Sequence, residues 1–235
     1  MNDISSESFR QAIHDFSYLI ENEYPRNAIL KLIGDRHLLS KTQRTLLNRG
    51  IIKKKDAVNR YKKLASGIKD SVLYIDTYNV LFILSNYLLG RLVFISTDGF
   101  IRDAGEVYGK LHREKIFLKS IELLMNYLGS NMPSETNFYI DSPVAYSGDL
   151  AEKLRDSLKD KNLKGNAFTV NNPDKELITK TEGIIATSDS EVMNETVCRI
   201  CDLPAMVLNS RYQIQLLDLR EILSGQIPGI GRHPV

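Results

Sequence analysis

Apolar residues recur at helical spacing through the first third of the chain, then change near residue 70 to short runs set between longer amphipathic stretches. Phe9, Ile13, Phe16, Leu19 and Ile20 trace one helix face behind a Ser-rich start able to supply an N-cap. Pro25 opens a second helix through Ala28, Ile29, Leu32 and Ile33, with Gly34 as its stop. Ser40-Lys41-Thr42-Gln43 has capping-box form, Leu46 and Leu47 give that third helix a buried side, and Gly50 ends it. A fourth helix is predicted over 56–65, so residues 1–69 read as a small all-helical module.

Residues 70–235 carry short apolar runs at 72–75, 92–95, 138–140, 167–170, 184–187 and 205–208. Runs of this length with little alternation predict strands buried on both faces. Helices are predicted between them over 80–89, 108–128, 150–158 and 192–200. Repeated strand–helix–strand order predicts an α/β domain with a mainly parallel sheet of five or six strands.

With 43% hydrophobic and 26% charged residues among 235, the chain is globular rather than disordered. No apolar run reaches the roughly 18 residues needed to span a bilayer, and MNDISSESFR lacks the basic-then-apolar order of a signal peptide. A cytoplasmic protein without a membrane partner is the expectation. The net charge of +2 hides an asymmetry: between Arg36 and Lys69 stand eleven basic residues against one acid, Asp56, a local balance of +10 that leaves −8 for the rest. Such a stretch reads either as a solvated helix face or as a grip for the phosphates of RNA or DNA.

The chemistry-bearing residues are acids at strand ends. Asp76 follows VLYI, Asp141 follows FYI, Asp174 follows AFTVNNP and Asp189 follows IIATS. If the runs are parallel strands, their carboxyl ends share one sheet edge and the acids converge there. Unshielded carboxylates repel, which implies a divalent cation or raised pKa values. Asp76 and Asp189 also have a plain reading as helix caps. Asn79 would orient Asp76, donate to a phosphate, or cap; the Thr187 and Ser188 hydroxyls would bond a carboxylate or a bound phosphate. In Asp98-Gly99-Phe100-Ile101-Arg102-Asp103, Asp98 would reach the same edge and Arg102 would pair with a phosphate or with Asp103, while a simple Asp-Gly turn fits equally. Ser147-Gly148-Asp149 reads as a helix cap or a loop near the site, and Glu106 and Glu191 are weaker candidates.

Other chemistries find little support. Cys198 and Cys201 form a single C-x-x-C on a predicted helix, which favours packing over a closed zinc site. None of His14, His37, His112 and His233 stands beside a Ser or Cys in a nucleophile motif, and no Gly-x-Gly-x-x-Gly or Walker A pattern occurs. A phosphatase of the haloacid dehalogenase type would place a second Asp where Tyr78 stands.

Asp76-Thr77-Tyr78-Asn79-Val80 resembles the Asp-Gly-Tyr-Asn-Val start of NYN domains, a branch of the PIN-like nuclease superfamily. Tyr139-Ile140-Asp141, then Asp174, then Ala186-Thr187-Ser188-Asp189 follow that family's order of acids, and the resemblance covers about 70–209. The stretch from Leu32 to Arg44 resembles the front module of an uncharacterised archaeal and bacterial family. There, such a module precedes a PIN-like domain with motifs similar to Thr97-Asp98-Gly99-Phe100-Ile101-Arg102-Asp103 and Asp141-Ser142-Pro143. The resemblance implies a three-layer α/β/α fold with strand order 3-2-1-4-5, and Asp76, Asp141, Asp174 and Asp189 holding Mg²⁺ or Mn²⁺ for RNA hydrolysis. Thr77 replaces the usual Gly. Asp98 and Asp103 have no counterpart in the minimal NYN set; they are expected to orient water or a second ion. The expected function is a metal-dependent ribonuclease whose basic module grips RNA or DNA. The alternative is a non-catalytic nucleic-acid-binding protein on the same scaffold.

Overall fold

The computed structural model describes residues 4, 6–105 and 115–225. Residues 108–114 of the helix expected over 108–128 lie outside the described residues, as do Glu106, His112 and His233. In chain order the elements begin with α1 (Glu7–Glu21), α2 (Arg26–Arg36), α3 (Lys41–Gly50), α4 (Lys54–Lys63), β1 (Val72–Asp76), α5 (Thr77–Leu88), β2 (Val93–Ile95), β3 (Ile101–Asp103), α6 (Lys115–Asn131) and β4 (Glu135–Asp141). They continue with α7 (Ser147–Asp160), β5 (Gly165–Val170), α8 (Pro173–Ile178), β6 (Ile184–Ala186), α9 (Ser190–Glu195), β7 (Arg199–Cys201), α10 (Leu203–Arg211), β8 (Leu217–Asp218) and α11 (Leu219–Ser224). Among the described residues no helix is long and apolar enough to cross a membrane.

Two compact units interleave along the chain. One comprises residues up to Asn59, Leu92–Ala104 and those from Gln215; the other comprises Arg60–Arg91 and Gly105–Ile214. The helical module is thus completed by two later segments, where the sequence pattern suggests a single break near residue 70.

In the first unit, Ser6 caps α1 by accepting from the Phe9 N–H, and Ser40 and Gln43 form the reciprocal capping box at α3. Phe9, Ile13, Phe16, Ile29, Ile33, Leu46 and Leu47 are buried with Phe94 and Leu219 in one core. Gly34 does not stop α2, which runs on to Arg36. A Cβ at Gly34 would stand 1.9 Å from the Arg44 guanidinium, which donates to the Leu39 carbonyl and to Asp35. The run at 92–95 joins a separate three-stranded sheet, order β3-β2-β8, rather than the large parallel one.

That small sheet decides the fate of three candidate residues. The Asp98 side chain is fully buried and receives both Arg102 terminal nitrogens, at 2.7 and 2.9 Å. It also accepts from the Ser96 hydroxyl and the Phe100 N–H, closing the turn at Gly99. Arg102 therefore neutralises Asp98, and Asp103 receives Arg49 Nη1 at 2.7 Å. The expectation that Asp98 and Asp103 hold metal and that Arg102 meets a phosphate is corrected. Each charge is already matched, and removing a bonded counter-charge from a buried carboxylate is costly.

The second unit is the α/β domain. Its five parallel strands lie in the order β5-β4-β1-β6-β7, which is 3-2-1-4-5 when they are numbered along the chain. Leu73, Ile75, Phe138 and Ile140 pack against residues of α5, α6, α7 and α10. Helix α8 contacts β1, β4 and α9, which makes the third layer. The run at 205–208 is not a strand but part of α10, because Asp202 caps a helix whose first turn holds Pro204. The fifth strand is instead β7: the helix expected over 192–200 ends at Glu195, and Cys201 lies on that strand, with Cys198 just before it. Both cysteines are buried and free, as packing residues would be.

Gly165 opens β5 at φ +150°, where a Cβ would sit 1.8 Å from the Thr136 carbonyl oxygen. Gly165→Ala is expected to lose about 2–4 kcal/mol in denaturant unfolding. Gly148, in the first turn of α7 with open space around it, is expected to gain up to about 1 kcal/mol as Ala. Arg102→Met, which strands Asp98, is expected to cost about 3–5 kcal/mol in the same measurement.

A candidate acidic active site

Four adjacent strands deliver the four acids to one edge. Asp76 is the last residue of β1 and Asp141 the last of β4; Asp174 follows β5 in the first turn of α8, and Asp189 follows β6 as the cap of α9. All four strands are parallel and neighbouring, so these are all carboxyl ends. Chain direction across the sheet reverses at β1, the kind of switch point at which open α/β sheets form a crevice.

Asp76 is the centre of the arrangement, with 2% of its surface exposed. Its Oδ2 accepts from Thr187 Oγ1 at 2.7 Å and from Asn79 Nδ2 at 2.5 Å. Ser188 Oγ donates to Asn79 Oδ1 at 3.1 Å, and the Asp189 N–H donates to Thr187 Oγ1 at 3.0 Å. Thr187, Ser188 and Asn79, predicted as phosphate or carboxylate partners, therefore serve the carboxylate. Asp189 Oδ1 accepts from the N–H groups of Glu191 and Val192, so it is a helix cap and a site candidate together. Asp174 is not the cap of α8, a role taken by Asn172. Ser147, Gly148 and Asp149 are the first residues of α7, whose cap position is Tyr146.

The electrostatics follow from burial and like charge. Burial, helped by Asp174 and Asp189 and opposed by the Thr187 and Asn79 hydrogen bonds, pushes the Asp76 carboxyl up to about 7. Asp174 is pushed up to about 6 by burial, then by Asp189, Asp141 and Glu191. Burial also raises Asp141. Among the described residues no Lys or Arg forms an ion pair with any of the four. No three His, Cys, Asp or Glu side chains among the described residues stand in a metal-holding group. As a donor set, carboxylate oxygens in excess of local positive charge fit a hard divalent cation.

Tyr78 is a neighbour that the sequence reading passes over as a site residue. Its hydroxyl is pushed up to about 12 by burial and by Asp141, and its ring stacks on Phe82 with centroids 5.3 Å apart. Its sequence signal is its place in the Asp76-Thr77-Tyr78-Asn79-Val80 motif.

Much of the basic stretch is committed elsewhere. Arg44 pairs with Asp35, Arg49 with Asp103 and Lys53 with Glu23, while Arg60 and Lys63 bond to groups on α9 and just after it. Lys54, Lys55, Lys62 and Lys69 are exposed.

Residues 65–206 match a family described as a domain of unknown function, DUF5616, and residues 8–63 match a protein family of unknown function, DUF434. The chain is similar to the uncharacterized protein MJ0935 of Methanocaldococcus jannaschii, 33% identical over 201 residues that span 84% of this chain and 95% of the relative. No solved structure gives a significant match. With well over half of its length inside the matched region and a relative that aligns across both parts, this chain belongs to the DUF5616 family.

Proposed function

We propose that the chain is a divalent-metal-dependent ribonuclease of PIN-like type, hydrolysing phosphodiester bonds at the carboxyl edge of its five-stranded sheet. Asp76 carries the reading: a buried carboxylate, bonded on one oxygen by Thr187 and Asn79, in the field of Asp174 and Asp189, with no ion-pair partner among the described residues. An anion in that position is costly, and a hard cation with oxygen preference offsets the cost. Mg²⁺ or Mn²⁺ suits the donors. Asp76 and Asp189 would contact the ion, and Asp141 and Asp174 would complete or support its site.

A cation held by these acids would supply Lewis acidity towards water and phosphate, so no covalent nucleophile would be needed. The protein's own groups hold the acids still. Thr187 and Asn79 fix one oxygen of Asp76, Ser188 fixes Asn79, and the Asp189 N–H ties that residue to Thr187. The order of acids along the chain and the strand order 3-2-1-4-5 support the PIN-like assignment. RNA binding would fall to the exposed basic side chains of the 36–69 stretch, since at least six of its eleven, Arg36 with Asp15 among them, are engaged internally. Two free cysteines suit a reducing cytoplasm.

Mn²⁺ at about one hundred times its Kd is expected to stabilise the wild-type chain by about 2.7 kcal/mol in a thermal scan, and to leave Asp76→Asn unmoved. Labelled RNA is expected to be cleaved by wild type with Mn²⁺ and not by Asp76→Asn. Equal cleavage by both removes the assignment; RNA binding without any response to Mn²⁺ puts the non-catalytic reading in its place.

The raised Asp76 pKa fixes a sign for pH dependence without metal. Between about 4 and about 7 the native state keeps a proton that the unfolded chain has released, so stability falls as pH rises through that window. Asp76→Asn removes that carboxyl's share of the slope and leaves those of Asp174 and Asp141. The variant is expected to be more stable than metal-free wild type at pH 8, on the order of 2–4 kcal/mol, with the gain vanishing towards pH 4 in denaturant titrations.

A further inference from the structure

We propose that Arg60 and Lys63 are positioning residues for the acidic site, clamping α9 so that its cap, Asp189, stays among the other carboxylates. The inference rests on the metal-dependent reading above.

Helix α9 has six residues, fewer than two turns, and a helix that short has almost no stability of its own. It is pinned at both ends. Arg60, 1% exposed, donates Nε to Asn194 Oδ1 at 2.9 Å and Nη2 to the Ser190 carbonyl at 3.2 Å. Lys63 Nζ donates to the carbonyls of Met193 at 2.6 Å, Asn194 at 3.3 Å and Thr196 at 3.0 Å. Those carbonyls lie at the helix's open C-terminal end, where a cation also complements the helix dipole.

The clamp leads to the site through a short bonded path. Arg60 holds the peptide oxygen of Ser190, the residue beside Asp189; the Asp189 N–H donates to Thr187 Oγ1, and that hydroxyl donates to Asp76. Losing the clamp frees the Ser190 peptide and the last turn, and Asp189 moves with them. Groups that orient a ligating residue from behind commonly change metal affinity about as much as some ligands do. Arg60 and Lys63 also belong to the DUF434-matched residues 8–63, while α9 lies within the DUF5616-matched residues 65–206. The end of the front region thereby supplies groups that the candidate site needs.

The test is a Mn²⁺ titration of the full chain, read as the ion concentration giving half-maximal thermal stabilisation, with the metal-free Tm recorded alongside. Lys63→Met is expected to raise that concentration about tenfold, and Lys63→Arg to restore most of it. Lys62→Met, on an exposed neighbour, is expected to match wild type. A purely structural role would lower the metal-free Tm and leave the midpoint in place, which overturns the proposal. If Lys63→Met does not fold, Asn194→Ala removes one of the Arg60 acceptors and is held to the same criterion. No Mn²⁺ response in the wild-type arm overturns the underlying metal reading, and this inference with it; a normal wild-type response with unshifted variants overturns this inference alone.

Discussion

A carboxylate buried at the carboxyl end of the first parallel strand, with hydrogen bonds but no counter-charge among the described residues, is the constraint around which the second unit is organised. Asp76 can stand there only because β1 is flanked on both sides by parallel strands and because Thr187 and Asn79 bring donors to it. Those donors in turn depend on the β6–α9 loop, whose shape Asp189 sets by capping the helix. Fold and chemistry meet in one loop, so the residues that end the strand also build the site.

The contrast with Asp98 is instructive. Both are buried aspartates near strand ends, yet Asp98 carries a bidentate arginine and Asp76 does not. The first is a closed ion pair that welds a turn. The second accepts hydrogen bonds from Thr187 and Asn79 with no counter-charge among the described residues, and burial raises its pKa.

Most of the helical module was legible because its signals are local: the Ser40 capping box and the spacing of Phe9, Ile13 and Phe16 both reappear in the structure. Four of the parallel strands were legible from their apolar runs, and the placement of Asp76, Asp141, Asp174 and Asp189 at one edge of the sheet followed from them. What was illegible depended on contacts distant in sequence. The run at 92–95 looks like any buried strand, and only its pairing with Leu217 and Asp218 assigns it to another sheet. The run at 205–208 misleads because Asp202 and Pro204 signal a helix start that apolarity alone overrides. Arg102 could not be matched to its partner from spacing, since two aspartates lay within reach. Lys63 and Arg60 looked like members of a charge run, and their partners lie about 130 residues away.

The interleaving of the two units bears on how the chain is made. Helices α1 to α3 leave the ribosome early, but Leu219, which shares their core, and β8, which pairs with β2, come only near the end. More than a hundred residues separate Asp103 from Leu217, on the order of ten seconds of synthesis. During that interval Phe94 and its neighbours lack the lid that Leu219 supplies, while the parallel sheet emerges complete. Translation order therefore favours completion of the later α/β body before the helical one, the reverse of N-terminus-first assembly.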